Sequence, residues 1–312
     1  MGVQQQFSDL YHERTNYQFI KGSWKWAIVS GFLIAISLIS FGVRGLNQSI
    51  EFTGGTSFET VVNGKSPDPA DVREVMADAG VEEVKVQIIN DDSIRVTSEQ
   101  LDRATQAKVI KGLSDYANVD PRDISISDVG PSWGKEVSKK ALTALIVFFF
   151  VVAIYMIFRF EMAMAAAAII AVIHDVIITV GFYSITQLVV SPATVVAFLT
   201  ILGFSLYDTV VVFDKIRDNT KIWEKLKQES YAEMVNRSLN QVLMRSINTS
   251  IVAVLPVLSL ILVGSFLLNA VALLDFAVAL AVGLATGAYS SIFVATPLIV
   301  AIKRWTNKAD NM

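Results

Sequence analysis

The sequence predicts a polytopic α-helical membrane protein with six transmembrane helices. One α+β ferredoxin-like (βαββαβ) extracytoplasmic domain is expected between helices 1 and 2. Three observations carry this. The 312 residues are 53% hydrophobic, above the 45–50% usual for soluble domains, with a mean hydropathy of +0.50. The excess collects in runs of about 20 residues, the length that crosses a hydrocarbon core of ~30 Å. A single long polar block interrupts the runs, and its apolar residues follow strand and helix periods in turn.

In chain order, the polar segment 1–23 is expected to be cytoplasmic, and Trp24–Val43 is the first span. It is too long for a signal peptide and lacks a small-x-small cleavage site, so it reads as an uncleaved helix. Residues 44–140 form the polar block. Residues 141–302 hold the other five spans, Ala141–Phe158, Met162–Thr186, Pro192–Val212, Ser246–Gly264 and Val271–Ile302, with a cytoplasmic loop at 213–245. The last span is too long for one straight crossing, so it tilts or starts later. Residues 303–312 are a cytoplasmic tail. In the 213–245 loop, Lys215, Arg217, Lys221, Lys225 and Lys227 against Trp223 and Leu226 suggest a helix lying at the membrane surface.

Within the polar block, Ser49–Val62 reads as a strand interrupted at Gly54-Gly55, as a bulge or as a hinge or contact point with the membrane helices. Pro67-Asp68-Pro69 starts a helix that ends at Gly80. Val84–Ile89 and Ser93–Thr97 are strands around an Asn90-Asp91-Asp92 turn. Glu99–Ala117 is a second helix and Asp123–Val129 a last strand. The order β-α-β-β-α-β is the ferredoxin-like pattern, a fold that hosts many functions.

Orientation follows from Lys and Arg near the short loops. One side holds Arg14, Lys21, Lys25, Arg159, the 213–245 basic residues including Arg237 and Arg245, and Lys303, Arg304 and Lys308. The 187–191 and 265–270 loops on the other side carry none. The basic side, with both termini, is expected to be cytoplasmic. Residues 44–140 then face outward. With no cysteine, disulfides and thiolate metal sites are excluded.

The informative residues are acids inside spans. Asp208 sits in the fourth, where a carboxylate costs roughly 2.5–3.5 kcal/mol at a helix centre. Ser205, Asp208, Thr209 and Val212 share one helix face by their i, i+3, i+4, i+7 spacing. On the fifth, Arg245, Asn248, Thr249 and Val252 share another. Bundles turn such faces inward, so Asp208 and Arg245 are expected to pair. A guanidinium moving closer or further would switch the acid between releasing and holding a proton. The plainer reading makes Asp208 interfacial and Arg245 a positive-inside anchor. His174 and Asp175 lie mid-span but point about 100° apart, so they read as a secondary relay or as packing glue rather than one compact dyad. Asp275 reads as an interfacial helix-start residue. Gly283, Gly287, Ser290 and Ser291 read as a close-packing face, and Pro256 and Pro297 as sites that allow kinks.

Several stretches together resemble a known family. They are Phe52-Thr53-Gly54-Gly55-Thr56, Val129-Gly130-Pro131-Ser132, His174-Asp175, the run Leu202–Asn219 centred on Tyr207-Asp208-Thr209, Leu243–Ser250, and Tyr289-Ser290-Ser291-Ile292-Phe293. From about residue 24 to 302 the sequence is similar to the SecF family, membrane subunits that work with SecD beside the bacterial Sec preprotein channel, within the resistance-nodulation-division superfamily. The resemblance implies an accessory subunit of the preprotein translocase. With SecD it forms a twelve-helix machine in the cytoplasmic membrane that uses the proton-motive force in late steps of export. Its implied partners are SecD, the SecYEG channel with YidC and YajC, unfolded preprotein and membrane lipids, with no nucleic acid. It implies no cofactor beyond the proton gradient and no bound metal. The family's proton-conducting acid and Arg match Asp208 and Arg245. Tyr207, Glu51, Trp133 and Ala288 depart from the common Asn, Asp, small aliphatic and Thr; Tyr207 bears most on the proton path.

Three other readings compete. Half of a proton-driven exporter of small molecules or lipids predicts a second repeat or a large apolar cavity, and neither is visible in the sequence. An intramembrane enzyme is not expected, for there is no His-Glu-x-x-His motif and no nucleophile–base pair by spacing. A structural scaffold predicts that replacing Asp208 by Asn barely matters. One outer domain with six spans looks like one half of a paired-repeat machine.

Overall fold

The computed structural model describes residues 15–89, 92–266 and 271–306. The first 14 residues of the 1–23 segment, Asn90-Asp91 of the expected turn, most of the 265–270 loop and residues 307–312 of the tail lie outside the described residues.

Six helices are long and apolar enough to cross a membrane. The first is α1 (Ser23–Arg44), closed by Gly45 at φ +63°, whose N–H bonds to Phe41 O at 3.0 Å. Then come β1 (Asn47–Gln48), a one-turn helix α2 (Ile50–Thr53), β2 (Gly55–Val61), α3 (Pro69–Asp78), β3 (Val84–Ile89), β4 (Ser93–Ser98), α4 (Arg103–Ala117) and β5 (Ser125–Val129). The membrane part continues with α5 (Pro131–Arg159), α6 (Met162–Thr186), β6 (Val189–Val190), α7 (Pro192–Leu226), α8 (Tyr231–Phe266), α9 (Val271–Ser290), a π turn (Ser291–Ala295) and α10 (Thr296–Trp305).

The polar domain is a four-stranded antiparallel sheet in the order β3-β4-β2-β5. Strand alternation sends Phe58, Ile94 and Val96 to one face, where Val72, Met76, Val109 and Leu113 of α3 and α4 cover them. The other face is polar: Glu59 lies opposite Arg95, and Arg95 opposite Gln87. Asp68 caps α3 by accepting from Ala70 N–H at 2.7 Å, and Asp102 caps α4 by accepting from Thr105 N–H at 2.7 Å. The second helix starts at Arg103 rather than Glu99 because Asp102 is its cap.

The expected strand over Ser49–Val62 is corrected. Its first part is α2, and Gly54 (φ +77°) ends that turn before β2 begins at Gly55. Gly54 and Gly55 are therefore no bulge; they permit close backbone approach. A Cβ on Gly54 would lie 2.8 Å from Pro131 Cα, and one on Gly134 would lie 2.6 Å from Phe52 O. The turn thus seats the domain directly on the first turn of α5. A second unforeseen joint is the parallel β1–β6 pair, Asn47 with Val189 and Gln48 with Val190. Two-residue strands carry too little periodicity to be read from sequence.

Residues 213–245 are corrected too. They are not a loop bearing a separate surface helix. Helices α7 and α8 simply continue through them as a hairpin, joined by four residues. The buried stripe runs on through Phe213, Ile216 and Trp223, which packs on Tyr231 at 5.7 Å between ring centroids. Asn219 Nδ2 donates to Ser238 Oγ and Gln241 Oε1, each at 2.8 Å. The basic residues decorate the outside of that stripe, which is why composition alone suggested an amphipathic surface helix. Residues 15–20 strap across α8: Asn236 Oδ1 accepts from Phe19 N–H at 2.9 Å and Asn240 Oδ1 from Tyr17 N–H at 2.9 Å.

Helix α9 is the axis of the membrane part, packed against α6, α7 and α8. Gly283 and Gly287 let it approach α7; a Cβ on Gly287 would sit 2.8 Å from Ser205 Cβ. The long last span resolves as α9 and α10 joined by the π turn. Pro297 lacks an N–H and crowds the preceding turn. A π turn absorbs that misfit by widening the ring, and Thr296 Oγ1 donates to Ser291 O at 2.8 Å. By contrast α1, α5 and α8 turn broad apolar faces outward, including Phe32, Ile39, Phe150, Phe158, Leu255 and Leu262.

Candidate functional site

Two carboxylates are buried between the membrane helices. Asp208 of α7 is 2% exposed. Its Oδ1 accepts from Ser246 Oγ of α8 at 2.7 Å, and its Oδ2 accepts a short bond from Ser291 Oγ of the π turn. Asp175 of α6 is 1% exposed. Its Oδ2 accepts from Ser205 Oγ of α7 at 2.6 Å and from Ser290 Oγ of α9 at 2.7 Å. His174 Nδ1 lies 3.0 Å from Asp175 Oδ1.

The serines sit where they do for local reasons. Ser205 is one turn before Asp208 on the buried face of α7. Ser290 and Ser291 are consecutive, so their side chains diverge by roughly 100° and each reaches an acid on a different helix. Each also has a second acceptor within its own helix: Gly287 O lies 3.2 Å from Ser290 Oγ, and Ala288 O lies 3.2 Å from Ser291 Oγ.

Magnitudes show that this shell suffices. A hydrogen bond to a charged group contributes about 1.5–3 kcal/mol. Two such bonds offset an insertion cost of roughly 2.5–3.5 kcal/mol. Among the described residues Asp208 has no ionic partner. A carboxylate held only by hydroxyls can gain and lose a proton without breaking an ion pair. When it is protonated, the Ser291 hydroxyl can accept from it and donate to Ala288 O instead.

The expected Asp208–Arg245 pair is not formed. Arg245 is exposed, and it is the next residue, Ser246, that faces Asp208. One residue turns the side chain by about 100°, so the face of Arg245, Asn248 and Val252 points away from the helices of this chain. Asn248 is exposed and Thr249 Oγ1 donates to Arg245 O at 2.7 Å. Thr209 is buried with no partner for its hydroxyl among the described residues. On α7, Thr200, Gly203 and Tyr207 are exposed on the outward face.

The reading of His174 and Asp175 as two separately directed residues is corrected as well. Their backbone vectors diverge, yet both side chains are long enough to converge, and they are hydrogen-bonded. His174 also stacks on Tyr289, 6.0 Å between ring centroids, and its Nε2 is buried without a partner. Asp275 is not a solvated helix-start residue. It is 6% exposed, and its Oδ2 lies 3.4 Å from Arg95 Nη1 of the polar domain.

Sequence reasoning read Ser290 and Ser291 only as small packing residues and passed over Ser246 and Arg95. The adjacency of two serines in a span holding no other polar pair was the available signal for the first two. Ser246 was signalled by lying beside Arg245, and Arg95 by being a lone base on the polar face of a strand.

Comparison with known proteins follows these features. Residues 108–305 match the family described as protein export membrane protein SecD/SecF, C-terminal, and residues 39–63 match the SecD/SecF GG motif. The protein translocase subunit SecF of Streptomyces coelicolor is 42% identical over 94% of this chain and 79% of its own length. That of Rhodothermus marinus is 34% identical over 93% of this chain and 94% of its own. The crystal structure of SecDF, a translocon-associated membrane protein from Thermus thermophilus, aligns with a TM-score of 0.85 at 32% identity over 94% of this chain. The chain spans 39% of that solved chain. A SecDF structure in a super-membrane-facing form aligns less closely, with a TM-score of 0.68 at 31% identity over 96% of this chain.

Proposed function

The chain belongs to the SecD/SecF family of protein-export membrane proteins, and from that premise we propose that it is a multi-pass cell-membrane subunit accessory to the Sec preprotein translocase. With a SecD-type partner it uses the proton-motive force to promote late steps of export across the cytoplasmic membrane. The observation that carries this is Asp208: a buried membrane carboxylate held by hydroxyls from two other helices, inside the most specific stretch of family resemblance. Each proton moving down 100 mV supplies about 2.3 kcal/mol, comparable with rearranging one or two such hydrogen bonds.

In this reading Asp208 carries the proton. Asp175 and His174 form a second polar station reached through Ser205 and the Ser290-Ser291 pair. Arg245 acts across the interface with the partner half, because its face and the Thr200–Gly203–Tyr207 face of α7 are turned outward together. Paired halves with the site between them are the common transporter plan. We assign the polar domain to the ferredoxin-like fold on its strand order and place it outside the cytoplasm, with both termini inside. That orientation rests on the Lys and Arg bias of the loops. The domain then meets unfolded preprotein emerging from SecYEG, with YidC and YajC as further neighbours.

The test is preprotein export in proteoliposomes carrying the chain with its partner, wild type against Asp208→Asn, with assembly checked by pull-down. An assembled complex that loses the gradient-dependent part of export supports the proposal. Unchanged export would make Asp208 a packing residue and end it.

A further inference from the structure

A cavity of about 840 Å³ separates the polar face of the domain's sheet from the membrane helices. Arg95 and Glu59 line its roof, and Asp275 lies at its floor. The domain is thus not packed flat on the membrane part. It stands on three supports: the α2–α5 seat, the β1–β6 pair with Gln87 Nε2 reaching Gln187 O at 3.4 Å, and the ionic contact of Arg95 with Asp275.

These supports differ in what lies behind them. The first two engage the start of α5 and the α6–α7 connection. The third engages α9, the helix that also carries Ser290 and leads directly into Ser291. The fifteen residues from Asp275 to Ser290 rise about 22 Å. One continuous helix therefore links the domain at one end to both intramembrane acids at the other. Its flank against α7 is glycine at 283 and 287, which leaves no knobs to lock its axial position.

The outer end is also built to report movement. Arg95 is held from the domain side by Glu59, Nε to Oε1 at 2.5 Å. Asp275 is fixed from the membrane side, its backbone O accepting from Tyr183 OH at 2.7 Å. Arg95, Glu59 and Tyr183 are the titratable or charged groups that meet Asp275 in hydrogen bonds, ion pairs or close electrostatic contact among the described residues. A pair anchored on both sides transmits displacement, whereas a free surface pair would not.

We propose that Arg95 and Asp275 are positioning residues for the export reaction, forming the joint through which protonation at the Ser290-Ser291 end of α9 shifts the polar domain. This rests on the reading of Asp208 as the proton carrier. When Asp208 is neutral, Ser291 no longer donates to it and turns to Ala288 O. The π turn relaxes, α9 moves along its glycine flank, and Asp275 draws Arg95 with it.

The chain has no cysteine, so two introduced cysteines report cleanly. Spin labels at Lys111 on α4 and Ile170 on α6, both exposed, give the domain-to-membrane distance in the reconstituted complex with the partner. Asp208→Asn, which mimics the neutral acid, is expected to shift that distance distribution. In an Arg95→Gln background the same change is expected to lose more than half of the shift, and Arg95→Lys is expected to restore most of it. Asp275→Asn makes the same prediction from the membrane side, should Arg95→Gln fail to assemble. A shift of full size in both Arg95→Gln and Asp275→Asn overturns the joint. So does no shift at all in a complex whose export is abolished by Asp208→Asn, an outcome that leaves the proton-carrier reading standing. Export indifferent to Asp208→Asn removes the reading itself.

Discussion

Gly287→Ala perturbs the crossing of α9 and α7 with a single methyl group. The added Cβ would lie 2.8 Å from Ser205 Cβ, 3.2 Å from its Cα and 3.2 Å from its Oγ. Carbon atoms rest at about 3.5–4.0 Å, so the helices must part by up to about an ångström, and backbone, not only a flexible side-chain end, stands in the way. Overpacking of this kind costs about 1–3 kcal/mol. Alanine returns about 0.5–1 kcal/mol as the better helix former, leaving a net loss of roughly 0.5–2 kcal/mol. Ser205 is also the donor to Asp175 at 2.6 Å, so the same displacement lengthens that bond. The control is Gly31→Ala on α1, where nothing lies within 4 Å of the new methyl. Thermal unfolding of the detergent-solubilised chain should show a lower midpoint for Gly287→Ala and an unchanged or higher one for Gly31→Ala. Equal midpoints for wild type and Gly287→Ala would refute the claim that α9 needs glycine to reach the acids.

Two more outcomes are expected. Hydrogen bonds from the backbone N–H and the side chain of Thr105 hold the Asp102 carboxyl below its usual range. A depressed folded-state value means its contribution is present above the unfolded-state value near 4 and lost as pH falls through the folded one. The difference in unfolding midpoint between wild type and Asp102→Asn should therefore shrink on acidification below about pH 4; a difference constant from pH 7 to 3 would contradict this. Removing both clamps of the 15–20 strap by Asn236→Ala with Asn240→Ala deletes four bonds of 2.9–3.0 Å, about 2–6 kcal/mol in sum at roughly 0.5–1.5 each. Trypsin should then cut at Lys21 at least about tenfold faster, and an unchanged rate would mean the strap is held by Phe19 and its aromatic neighbours instead.

What the sequence disclosed and what it withheld divide along one physical line. The six long helices were legible because each is a long run whose burial or lipid exposure needs no partner to explain it. Positions that depend on a single residue's rotation were not. Arg245 and Ser246 are neighbours, both polar and both compatible with a face toward Asp208. Only the crossing angle of α7 and α8 decides which one turns inward, and that angle is set by Val242, Leu243 and the buried stripe around Ile216, far from either. The π turn is a sharper case. Pro297 announces a fault in the helix but not the form it takes, and the form matters: the turn sets the last rotation that aims Ser291 at Asp208 while Ser290 stays on Asp175. A substitution that lets this segment run as regular α-helix would keep every residue of the site and still redirect Ser291. The site is therefore specified less by its acids than by the local irregularity that brings their donors to them.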